Sequence, residues 1–395
     1  MVFSSLEFMF LYFPVVLLLY FVTPLKWRNV TLFLTSLIFY GWGEPSYVFL
    51  MLFTITVDYF LGFMVGKYRE TNRRRAKGYM IAAIVINLAI LGFFKYANLA
   101  LDTLAALTGA KLAHLNVALP VGISFYTFQA LSYVIDVYRG EVEAQKKYHL
   151  LLLYASLFHQ CIAGPIVRYA DVAREIENRT VTLSEAARGV SRFAVGLAKK
   201  ALLANGCAMI ADKLLPTATT NPASLSAVSL LLGGLCYMLQ IYLDFSAYSD
   251  MAIGLGRVFG FHFLENFNYP YMSKSITEFW RRWHISLGTW FRDYVYIPLG
   301  GSRCSIGKYI RNLLIVWALT GFWHGASWNF ILWGLYFALF LVVEKYVFRW
   351  QKHGNAFTVH LRRLYTLAVV WFGWFLFRFD DMGLMGHALK SLFGF

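Results

Sequence analysis

The sequence predicts an all-α, polytopic membrane helix bundle with re-entrant or broken helices inside it. Three observations carry that prediction. Of 395 residues, 59% are hydrophobic and only 14% are charged, against roughly 25% charged in soluble domains. Several apolar runs approach the ~20 residues with which a helix crosses a bilayer. The Lys and Arg residues behind the net charge of +15 fall mainly in short segments between those runs. The positive-inside rule accounts for them there, so nucleic acid is discounted as a partner and membrane lipid takes its place. Nothing marks off a soluble region, and residues 1–395 read as one membrane-embedded domain.

The first run, Leu6 to Thr23, has no basic residue before it and no small-residue cleavage site after it, so it reads as a retained span rather than a signal peptide. Val30 to Trp42 and Ser46 to Val65 follow. A basic turn with Lys26 and Arg28 joins the first pair, and the nearly uncharged Gly43-Glu44-Pro45-Ser46 joins the second. The connector from Lys67 to Lys77 holds six basic residues and one acid, and two crossings return it to the side of Lys26. Charge and parity agree, which makes that side cytoplasmic and puts the N-terminus outside. A fourth span runs from Tyr79 to Tyr96, with a mildly amphipathic segment to Asn116 on the outer face. A fifth follows Pro120 and ends at Asp136-Val137-Tyr138-Arg139.

Simple counting then fails. His149 to Ile166 is long enough to cross, yet Glu141 to Lys147 before it and Arg168, Arg174, Arg179, Arg188 and Arg192 after it give both flanks a cytoplasmic character. Gly164-Pro165 also interrupts a helix. A broken or re-entrant element is expected, a form tolerated at membrane depth only when buried in protein or facing a water-filled cavity. A second is expected between Ile276 and Ser305. Helices are expected around Val190 to Ile210 and Leu225 to Leu243, and spans at Ile331 to Val347 and Leu361 to Phe377. The end, Phe379-Asp380-Asp381 and then Leu392-Phe393-Gly394-Phe395, does not read like a solvated tail. Cys161, Cys207, Cys236 and Cys304 are far apart without CxxC spacing, which fits buried free thiols rather than a disulfide framework or a zinc site.

Three polar clusters stand out in this apolar chain. Tyr242-Leu243-Asp244-Phe245-Ser246-Ala247-Tyr248-Ser249-Asp250 ends an apolar helix with two carboxylates and two serine hydroxyls. There Asp244 and Tyr248, at i and i+4, share a face that Ser246 does not; a polar network at a helix end is the alternative to a site. In Phe279 to Trp290, helical spacing puts Trp280, Trp283, His284 and Leu287 on one side. Arg281 and Arg282 face elsewhere, either as interfacial anchors or as forks for the phosphates of an anionic acyl carrier. The third cluster, Gly321 to Phe330, sets His324 between indoles and glycines, with Asn329 five positions on. An ionisable group at that depth is a functional-site hypothesis, the alternative being a histidine satisfied by a backbone carbonyl. No HExxH, no second histidine at i+4 and no GxSxG elbow accompanies it. No metal is implied, and a histidine without a protein nucleophile points to general-base chemistry.

Taken together these segments resemble the membrane-bound O-acyltransferase superfamily, in particular its bacterial alginate O-acetyltransferase-like and D-alanyl-transferring branch. The resemblance covers nearly the whole chain. It rests on Pro120 to Gln129, Ile162-Ala163-Gly164-Pro165-Ile166, Asp244 to Gly254, Phe279 to Gly300 and Trp323-His324-Gly325. It implies a funnel or tunnel through a bacterial inner membrane, with His324 as catalytic base and His284 as its partner, orienting the donor or stabilising the oxyanion. It further implies a cytoplasmic thioester co-substrate, acetyl-CoA or another acyl thioester, with no tightly bound cofactor. The acceptor is then the hydroxyl of an extracytoplasmic polysaccharide, reached directly or through a periplasmic acetyltransferase partner. Arg281, Arg282, Trp283, Trp323, Asn329, Asp244, Ser246 and Tyr248 become candidate substrate- or donor-binding residues. D-alanyl or other acyl transfer to a cell-wall polymer stays open, as does a non-catalytic transporter or scaffold of polysaccharide export. Two departures stand: His159-Gln160-Cys161 occupies the place of an expected Pro-Gln. Family members also continue for a span or more beyond Phe377-Arg378, so the chain is a shorter member or lacks its C-terminus.

Overall fold

The computed structural model describes residues 1–161, 164–216, 226–348, 355–379 and 381–394. Ile162, Ala163, Leu225, Asp380 and Phe395, named above, lie outside them. Every regular element among the described residues is a helix, and the chain divides into two compact units. Met1–Val195 with Tyr248–Leu264 form the first, and Gly196–Ala247 with Glu265–Phe395 the second.

In the first unit a π-helical turn, Phe8–Tyr12, leads into α1 (Phe13–Val22), followed by α2 (Arg28–Gly43), α3 (Tyr47–Tyr68), α4 (Arg73–Thr108) and α5 (Ile123–Arg139). Asn72 starts α4 by accepting the Arg75 N–H at 3.0 Å, and Gly109, at φ 69°, ends it. The helix therefore extends well past the expected end at Tyr96. Helix α5 packs on α3 and α4 so closely that a methyl on Gly62 of α3 would strike the Tyr133 ring. At the same level Asp58 of α3 is fully buried and accepts the Asn87 amide of α4 at 2.7 Å; that internal partner is what a carboxyl inside an apolar span requires.

The element expected to break does so. Helix α6 (Tyr148–Ser156) stops at Leu157, with ψ 117°, and the short α7 (Phe158–Cys161) follows. Gly164 then takes φ 104°, open to glycine alone without strain. Two amphipathic helices, α8 (Tyr169–Glu177) and α9 (Leu183–Ala198), come next.

A π-helical stretch, Lys199–Ala204, carries α9 into α10 (Asn205–Leu214). Helix α11 (Ala227–Val258) runs on well beyond Leu243, so the cluster from Tyr242 to Asp250 sits within a helix and not at its end. Its carboxylates are tolerated there because each has a cation: Lys200 on Asp244 at 2.7 Å and Arg192 on Asp250 at 2.9 Å.

The second unit continues with α12 (Ile276–Arg282), α13 (Ile285–Phe291), a π-helical turn Arg292–Tyr296, and α14 (Ile306–His324). Then come α15 (Trp328–Val343), which continues as a π-helix over Glu344–Phe348, α16 (Ala356–Arg378) and α17 (Met382–Phe393). Helix α14 was not anticipated, although the apolar run from Leu313 to Phe322 carries its signal. It forms a tight hairpin with α15 because a methyl on Gly334 would strike the Trp317 carbonyl and one on Gly321 the Phe330 carbonyl. The core of this unit is aromatic, with Trp283 and Trp374 at 4.6 Å and Trp280 and Trp317 at 4.7 Å between centroids. Such pairs contribute about 0.5–1.5 kcal/mol each beyond burial. Among the described residues, five helices are long and apolar enough to cross a membrane: Tyr47–Tyr68, Arg73–Thr108, Leu183–Leu214, Ala227–Val258 and Trp328–Phe348.

Candidate active site

The site is built on a break between two short helices. Ser275 starts α12 by accepting the Glu278 N–H at 3.0 Å, and the Glu344 carboxylate accepts the N–H groups of Ile276 and Thr277 and the Thr277 hydroxyl. Helix α12 ends at Arg282; Trp283 is extended, and His284 is left-handed at φ 43°, ψ 56°. For a residue with a Cβ that conformation costs about 1–3 kcal/mol and persists only where its surroundings impose it. A neighbouring segment does so: Asn268 N–H donates to the Arg282 carbonyl at 2.9 Å, and Ile285 N–H donates to the Asn266 carbonyl at 3.0 Å. This corrects the expectation of one helical face through Trp280, Trp283, His284 and Leu287. Those residues sit on two helices that meet at a kink, yet all four line one cavity.

That cavity, about 910 Å³, lies within the second unit, and both His284 and His324 are on its wall. His284 is buried, with the Phe245 ring edge-on at 4.7 Å. His324, the last residue of α14, is half-buried and sits against Trp333 at 5.0 Å and Phe377 at 5.2 Å. The Trp323 indole touches both imidazoles, 5.8 Å from His284 and 4.9 Å from His324 between centroids. Further along the wall are three cations, Arg281, Arg292 and Lys345. Arg281 is exposed and makes no ion pair among the described residues. Arg292 pairs with Asp293 at 2.7 Å, and the Lys345 ammonium stands 3.4 Å over the Tyr309 ring.

The other candidates divide. Trp283 lines the cavity, whereas Arg282 turns to Glu278 at 2.8 Å and to the Asn268 carbonyl at 3.2 Å. Asn329 is buried in the first turn of α15, off the cavity wall, and neither end of its amide finds a hydrogen-bond partner among the described residues. Asp244 and Ser246 are also off the wall, paired with Lys200 and Lys199. Tyr248, in the first unit, stacks on Phe3 at 4.7 Å. Sequence reasoning missed Asn266, Ser286, Glu344, Arg292 and Lys345. Glu344 had a legible signal, as the one acid in the apolar stretch from Trp328 to Phe348. Among the described residues no three His, Cys, Asp or Glu side chains gather at metal-ligand spacing. Two imidazoles in an aromatic enclosure, on a wall that also carries three cations, can accept a proton from a hydroxyl while an anionic co-substrate is held.

The sequence model of the membrane-bound O-acyltransferase family matches residues 121–385. A protein of Azotobacter vinelandii named probable alginate O-acetylase is 40% identical over 400 residues, which cover all of this chain and 78% of the relative. The peptidoglycan O-acetyltransferase of Helicobacter pylori is 32% identical, with all of this chain and 80% of the relative covered. The teichoic acid D-alanyltransferase of Bacillus subtilis is 30% identical over 65% of this chain and 68% of its own length.

Proposed function

Since the chain belongs to the membrane-bound O-acyltransferase family, we propose that it moves an acetyl group from a cytoplasmic thioester, acetyl-CoA, to an extracytoplasmic polysaccharide hydroxyl. Transfer is direct or through a periplasmic acetyltransferase partner, across a bacterial inner membrane, with His324 as general base. The protein is a multi-pass membrane O-acyltransferase acting on a glycan. The observation that carries the finer reading is one cavity whose wall bears two imidazoles, three cations and the Glu344 carboxylate. Arg281, Arg292 and Lys345 suit the phosphates of a coenzyme thioester. The thioester carbonyl then reaches the imidazoles. Neutral His324 takes the hydroxyl proton as that oxygen attacks the carbonyl carbon. The C–O bond forms, the C–S bond breaks, and the proton leaves with the thiolate. Acetyl is favoured over D-alanyl because the relatives named for acetylation match the full chain at 40% and 32%, against 65% of it at 30% for the D-alanyl one.

The test is acetyl transfer by purified protein in vesicles, with acetyl-CoA as donor. Losing a general base costs ~10²–10⁴ in rate, so His324→Ala is expected to abolish most transfer while remaining folded and inserted. Wild-type turnover in that variant would remove His324 from the mechanism. Consumption of D-alanyl thioester in preference to acetyl-CoA would overturn the acetyl assignment.

A further inference from the structure

The hydrogen bonds around His284 fix which of its two nitrogens carries the proton. Asn266 Oδ1 accepts the Ser286 backbone N–H at 3.2 Å. A backbone N–H only donates, so the Asn266 atom at that position is the carbonyl oxygen and not the amide nitrogen. The same oxygen lies 3.1 Å from His284 Nδ1 and accepts the Ser286 hydroxyl at 2.9 Å; that hydroxyl stands farther from Nδ1, at 3.4 Å, so its one proton goes to the nearer oxygen. If Nδ1 were bare, two lone pairs would face each other across 3.1 Å. Nδ1–H donating to Asn266 removes the conflict, and the tautomer of an imidazole follows from the bond its other nitrogen makes. His284 Nε2 is buried and finds no partner among the described residues, although leaving a buried polar atom unpartnered is costly.

We propose that Asn266 is the positioning residue that holds His284 as the Nδ1–H tautomer, so that its Nε2 is a hydrogen-bond acceptor reserved for a substrate O–H or N–H. An oxyanion offers no proton and cannot be the partner of that nitrogen; this replaces the oxyanion-stabilising role expected for His284. The strained backbone has its reason in the same arrangement. At φ 43° the chain lets the Asn266 carbonyl and side chain take the Ile285 and Ser286 N–H groups while the imidazole of the residue before them stays on the cavity wall. The catalytic meaning of this assignment, though not the tautomer, rests on the acyltransfer reading above.

His284 is the only histidine followed by isoleucine. Carbonyl-labelled histidine combined with nitrogen-labelled isoleucine therefore identifies it in the full-length wild-type protein in bilayers, and its side-chain nitrogen-15 signals report the tautomer near neutral pH. A protonated Nδ1 with a bare Nε2 is the expected result. A protonated Nε2, with or without a proton on Nδ1, overturns the proposal. Asn266→Asp keeps an acceptor oxygen and is expected to retain the tautomer and most of kcat. Asn266→Leu removes the acceptor, and kcat should fall roughly ten- to a hundredfold, the scale of losing an orienting second partner, with KM for acetyl-CoA little changed. Equal loss in both variants, or a loss confined to KM, would demote Asn266 to packing. If the tautomer is as assigned but His284→Ala turns over like wild type, the catalytic reading of the site fails while the tautomer stands.

Discussion

Arg281 and Arg282 are neighbours in sequence held in opposite ways, which separates two roles that composition alone assigns to both. Arg282 is committed to Glu278 and to the Asn268 carbonyl, so it fastens α12 to the segment beside it. Arg281 projects onto the cavity wall without an ion pair among the described residues. A charged hydrogen bond contributes roughly 1.5–3 kcal/mol. Arg281→Ala is therefore expected to raise KM for acetyl-CoA about ten- to a hundredfold with kcat nearly unchanged, the signature of binding lost equally from ground and transition states. Arg282→Ala should leave KM alone and cost about 1 kcal/mol or less in stability, since its pair is partly solvated. Steady-state kinetics on the two variants check this; a KM effect carried by Arg282 in place of Arg281 would reverse the assignment.

Helix α12 has seven residues, too few to hold its shape alone, and Glu344 from the end of α15 supplies what it lacks. Its carboxylate takes three donors at the first turn, where a negative charge also suits the helix dipole. Glu344→Ala leaves those donors without their partner, at about 1–3 kcal/mol, whereas Glu344→Gln keeps an acceptor oxygen and should recover part of the loss. Thermal unfolding in detergent with hydrogen exchange at Ile276 and Thr277 measures it; unchanged protection in Glu344→Ala would show the cap to be dispensable. These contacts also explain what was legible. The break near Gly164 showed in the sequence because a glycine and a proline mark it locally. The break at Trp283-His284 has no such residue; Asn266 and Asn268, distant in sequence, impose it, so helical spacing ran through it. His284 and His324 stood out because an imidazole in an apolar chain does. Asn266 did not, because a carboxamide carries no charge and declares its role only through its partners. Helix α14 was missed because its polar start, Lys308 to Asn312, hid an apolar run behind it.

At the scale of the whole molecule, helix α4 makes the membrane orientation testable. Its 36 residues span about 54 Å at 1.5 Å each, more than the ~30 Å hydrocarbon core. A helix of that length and composition is long enough to cross, with its two ends on opposite sides. The basic cluster at Arg73, Arg74 and Arg75 opens it, while Lys111 follows Gly109 just past its close. The positive-inside rule sends the first end to the cytoplasm. Under the proposed function, that orientation would let an acyl donor and a glycan acceptor approach from opposite sides. Of the four cysteines only Cys161 is buried, so single-cysteine variants belong in a background with Cys207, Cys236 and Cys304 replaced by serine. A membrane-impermeant maleimide added to intact spheroplasts is expected to label Lys111→Cys and to spare Arg74→Cys, and the pattern should reverse in inside-out vesicles. Labelling of Arg74→Cys from outside would invert the orientation and with it the cytoplasmic source of the donor. Labelling of both from one side would mean that α4 does not cross.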